Sequence, residues 1–212
     1  MPIFLLPVVV IVAWAVVYLI RTKESLKRAR FLKIAGLVLM WLFSAFIGMF
    51  IVGDTFADPG GWEAAGYVAI WLVPLVLLGA LAWFRPAWAT VVLAALMGGY
   101  FLLSLWAAID PDGWRSYEDS VGPVRMVVAF AIAAPLAVLG WKRPFAAGLM
   151  LVLMTVPPML FVTVDSGLAW GSIFAVTSPA TVTGILYLLA AHFDRASPYE
   201  LGGAGAARPS PA

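Results

Sequence analysis

The 212-residue chain contains no cysteine. That excludes disulfides, thiolate metal sites and cysteine nucleophiles, and it removes the usual cue to a redox compartment. Histidine is almost missing too: His192 alone cannot supply the paired axial ligands of a membrane haem or a multi-histidine metal centre. Charge is scarce, at 11% of residues, against about 25% in a soluble domain. There is no Walker A loop, no G-x-G-x-x-G ahead of a strand, no H-E-x-x-H and no G-x-S-x-G. The last apolar run has no lysine to carry a retinal Schiff base. No charged side chain lies near the centre of any apolar run, which weighs against a proton-driven pump. No cofactor is implied, and whether the chain is an enzyme stays open.

What is present is apolar. Hydrophobic residues make up 64% of the chain and the mean hydropathy is +1.01, which leaves too little polar surface to cover a water-facing globule. Crossing a hydrocarbon core takes roughly 20 apolar residues as helix. Seven runs have that character: 3–20, 33–53, 65–84, 87–109, 122–140, 145–164 and 171–192. They lack two-residue alternation and are too long for barrel strands. The expected fold is therefore an all-α, polytopic bundle of seven transmembrane helices, with residues 1–192 as the membrane domain and 193–212 as a flexible, Gly-, Ala- and Pro-rich tail. The first run has no basic segment before it, so it reads as a span and not as a cleaved leader.

Charge placement orients the bundle. The link RTKESLKRARFLK carries six basic residues and one acid, and so short a basic loop should stay in the cytoplasm. Alternation then places WFRP, WKRP and the tail on the same side. The cytoplasmic segments total eleven basic and three acidic residues, and the opposite side two basic and eight acidic. This gives an N terminus outside, a C terminus in the cytoplasm, and a multi-pass location in a cell membrane, the bacterial inner or plasma membrane being the expected one. Trp62, Trp83, Trp88, Trp106, Trp114, Trp141 and Trp170 fall near span ends, at headgroup depth. Trp14, Trp41 and Trp71 fall deeper and are expected to pack between helices.

Asp54, Asp110 and Asp165 end alternate runs, 56 and 55 residues apart, and Arg85, Arg143 and Arg195 follow them by 31, 33 and 30 residues. Such steps suggest two-helix hairpins repeated in parallel, with one helix over, although any chain of short hairpins obeying the charge rule gives similar spacing. If the three aspartates converge, they form an oxygen-rich mouth for a divalent cation or other cationic solute; otherwise they only terminate helices in water. Arg125, just inside the fifth run, calls for a partner such as Glu118, in an ion pair or a headgroup contact. In the seventh run Thr177, Thr181 and Gly184 share one helical face, which suits either a hydrated path or close helix packing. In the sixth, Pro157 and Pro158 should bend the helix, and Thr155 can satisfy a freed carbonyl.

Three function classes survive. The first is a non-catalytic membrane subunit or assembly factor, with membrane-protein complex partners. The second is a transporter or channel for small solutes or cations. The third is a lipid-modifying enzyme using outer-face carboxylates beside a lipid-sized cleft. Membrane lipids are expected partners and nucleic acid is not, because the one strong basic patch suits anionic headgroups.

Overall fold

A computed structural model describes residues 6–57, 61–121, 124–157 and 170–203. Among these, only Thr22–Glu24, Arg85, Asp110, Arg143 and Thr155 are not helical, and there is no strand. The helices are α1 (Leu6–Arg21), α2 (Ser25–Ala57), α3 (Gly61–Phe84), α4 (Pro86–Ile109), α5 (Pro111–Val121), α6 (Val124–Lys142), α7 (Pro144–Met154) and α8 (Trp170–Gly203). Three stretches are long and apolar enough to cross a membrane, Ser25–Met49, Gly61–Phe84 and Pro86–Ile109, and Val8–Arg21, Val128–Lys142 and Pro144–Met154 are shorter apolar helices. Apolar helices of this kind suggest a membrane protein. With no water to solvate it, a chain in lipid must satisfy its backbone internally, which a helix does.

The boundaries depart from expectation in instructive places. The basic link is mostly helix: α2 begins at Ser25, and only Thr22–Glu24 are left outside. Lys, Arg, Ala and Leu are good helix formers, and nothing in the link breaks a helix. The Arg28 Nε donates to the Thr22 carbonyl, tying the link to the helix it enters. At the other end α8 runs through His192 to Gly203. The stretch 111–121, which falls between two apolar runs, is α5. α7 stops at Met154, and Thr155 Oγ1 donates to the Val152 carbonyl at 2.7 Å; Pro158 lies outside the described residues.

Three links consist of one residue each, and in each case proline comes next. A residue before proline is pushed out of the α region by the ring, while proline itself suits the first helical position. Arg85 and Asp110 have φ/ψ of −133°/65° and −129°/77°, and Arg143 has −134°/69°. Each residue serves both of its helices. The Arg85 N–H donates to Leu81 at 2.8 Å and its carbonyl accepts from Ala89 at 2.9 Å; the Arg143 N–H donates to Leu139 at 2.8 Å and its carbonyl accepts from Ala147 at 3.1 Å.

The core forms where α2, α6 and α8 meet. Tyr187 of α8 is fully buried, and its hydroxyl donates to the Ala137 carbonyl of α6 at 2.7 Å. Two glycines admit the ring: a Cβ at Gly140 would lie 2.0 Å from Tyr187 Cε2, and one at Gly36 2.9 Å from Cε1. Thr183 Oγ1, also buried, donates to the Gly36 carbonyl at 3.4 Å. α7 crosses α8 at a second glycine pair, since a Cβ on Gly148 would meet the Gly184 carbonyl at 2.8 Å. Lipid supplies no hydrophobic force between helices, so such small-residue contacts hold the bundle. α4 adds a stripe at Ala89, Leu93, Met97, Tyr100, Ser104 and Ala107, spaced three and four apart as a single helix face. α1 packs on α2 and α8, with Tyr18 stacked on Phe31 at 4.0 Å.

Candidate functional site

The basic segments gather at one end of the bundle. Lys33 of α2 pairs with Asp194 of α8 at 2.6 Å. The Arg28 guanidinium lies 5.4 Å from the centre of the Phe193 ring, and that of Arg195 lies 5.0 Å from Phe145 at the start of α7. Lys142, the last residue of α6, holds its ammonium 4.9 Å from the ring centre of Trp83, near the end of α3. Among the described residues Lys33–Asp194 and the exposed Lys27–Glu24 form ion pairs. Arg85, Lys142 and Arg143 have no carboxylate partner there.

Beside this end, a cleft of about 460 Å³ opens between α2, α3 and α6. Its lining is almost wholly apolar. α3 contributes Gly79, Ala80, Trp83 and Phe84, in pairs four residues apart on one face; α2 contributes Leu37 and Trp41, and α6 Ala134, Pro135, Val138 and Trp141. The fully buried Ala82 lies outside this lining, while Gly79 and Ala80 leave the cleft its space between the larger α3 side chains. No atom lies within 4 Å of where a Gly79 Cβ would project. Trp41 and Trp14, expected between helices, are 54% and 61% exposed. Trp41 is a wall of the cleft, and Trp14 lies edge-on to Phe31 at 5.0 Å. The side chain of Trp71 lies outside the described residues.

Of the expected carboxylates, Asp110 alone has a described side chain. Asp110 is exposed, and its Oδ1 accepts the Gly113 N–H at 3.0 Å, making it the N-cap of α5. Asp165 lies outside the described residues. Asp54 falls near the end of α2, Glu118 in α5 and Arg125 near the start of α6, but their side chains lie outside the described residues as well. Among the described residues no three acidic or histidine side chains are placed to hold a metal. On α8, Thr177 is buried and Thr181 Oγ1 donates to the Thr177 carbonyl at 3.0 Å. Gly184, on the same face, meets α7.

Sequence reading missed α5 and the cleft. The D-P-D-G-W start of α5 is an N-cap followed by proline at the first helical position, and Trp114 and Tyr117 are three apart. Trp114 is buried against Trp106, edge-on at 5.1 Å, and Tyr117 lies 5.6 Å from both rings. The cleft joins residues of three helices that lie far apart in the chain, Leu37 to Trp141, for which a sequence carries no local signal. No known family, characterised protein or solved structure matches the chain.

Proposed function

We propose that the chain is a seven-span integral membrane protein, N terminus outside and C terminus in the cytoplasm, that serves as a non-catalytic subunit or assembly factor of a larger membrane complex. The observation that supports this reading is the Tyr187 junction. Three helices are pinned at a fully buried side chain whose hydroxyl is spent on a backbone carbonyl, and Thr183 and Thr181 likewise donate to backbone. Polar groups used this way build a rigid scaffold. The orientation draws support from the gathering of Lys33, Lys142 and Arg195 at one end. The parallel repeat draws partial support: the Arg85 and Arg143 joints have the same geometry and Trp83 touches Lys142 across them, whereas Arg195 stands inside an unbroken α8.

Native mass spectrometry of the protein gently extracted from its own membrane tests the subunit role. A stoichiometric protein partner is expected; a chain that always emerges alone overturns it. The orientation is tested separately on the cysteine-free background, where E63C and R85C should label from opposite sides of the membrane.

A further inference from the structure

The cleft and the unpaired cations beside it fit one kind of occupant. Its walls offer an acyl chain an apolar bed, with Trp83 and Phe84 47% and 75% exposed on its open side. Tryptophans prefer headgroup depth, and Trp83 and Trp141 both line the cleft. Trp83 carries the Lys142 ammonium over its ring. That contact fixes the cation at the cleft wall and leaves its outer side open, since Lys142 is exposed. Arg85 directly follows Phe84 and Arg143 directly follows Lys142, and both are exposed. A single-chain apolar ligand would use the walls and leave three cations unanswered, whereas an anionic phosphate answers them.

We infer that the cleft between α2, α3 and α6 is a binding site for one anionic phospholipid, with an acyl chain against Gly79, Trp41 and Trp83 and the headgroup phosphate on Lys142. The site holds the lipid in the leaflet at the basic end of the bundle. Its occupancy does not depend on whether the protein works within a complex. The volume lies within the range of about 300–1,000 Å³ typical of small-molecule sites.

The test uses the full chain reconstituted in vesicles of equal parts phosphatidylglycerol and phosphatidylcholine with matched acyl chains, then released into mild detergent, with retained lipid counted by native mass spectrometry. The wild-type chain should keep one lipid and favour phosphatidylglycerol by about fivefold or more, the factor expected for a single basic side chain at an anionic surface. K142Q should still retain lipid but lose about fivefold of that preference. G79L projects into open space, so its melting temperature should hold while the retained lipid disappears. Equal retention of the two lipids by the wild-type chain overturns the headgroup assignment. Undiminished retention by a folded G79L overturns the site. If G79L fails to fold, K142Q decides alone: an unchanged lipid preference overturns the assignment.

Discussion

The α3–α4 and α6–α7 hairpins share a joint but have opposite fates. Each ends its first helix on a turn that contains a tryptophan, passes through one arginine and restarts on proline, with backbone angles that agree within a few degrees. Yet α6 is buried almost continuously from Phe130 to Gly140, while Leu72, Val73, Val76 and Leu77 of α3 are exposed. Hydrophobicity does not separate them, because both are apolar. Size does: the buried turns of α6 read AIAAPLAVLG, and the exposed turns of α3, from Leu72, read LVPLVLLGA. In a medium as apolar as leucine, the helix that allows close approach goes inside.

Paired glycine substitutions should break this comparison most sharply. G140A would drive a Cβ to 2.0 Å from the Tyr187 ring, and we expect a loss of about 1–3 kcal/mol, as for overpacking, read as a fall in melting temperature in detergent. Next in size, Y187F removes the hydroxyl on Ala137 and should cost about 0.5–1.5 kcal/mol; urea titration of the reconstituted protein would measure it. K33A removes the pair with Asp194, whose side chains are 17% and 32% exposed, so solvent screening limits the loss to about 0–1 kcal/mol, and it should shrink further in high salt. Smallest is G79A on α3, where no neighbour is met: we expect a gain of less than about 1 kcal/mol from reduced backbone freedom. Equal effects of G140A and G79A would refute sorting by size.

Some of this was legible beforehand. A helix covers each of the seven apolar runs at least in part, because length and apolarity act locally. The charge pattern anticipated that the segments around Lys33, Arg85, Lys142 and Arg195 share an end. α5 escaped because its composition is polar and only its spacing of Trp114 and Tyr117 betrays a buried face. Tyr187 escaped for a different reason: its partners Gly36, Ala137 and Gly140 lie on other helices, and only the three-dimensional arrangement makes a lone tyrosine the keystone. The convergence of Asp54, Asp110 and Asp165 turns on side chains beyond the described residues, although Asp110 already has a capping role.

The one-residue joints leave the chain no slack at three points. Because Arg85, Asp110 and Arg143 each complete one helix and open the next, there is no tether to lengthen and no loop in which a change of angle can be absorbed. An inserted residue would either shift the downstream helix by about 100° in phase or break a joint that now serves two hydrogen-bond ladders. Among the described links, only Thr22–Glu24 is longer than one residue, and an insertion there should be tolerated better than at any of the three joints.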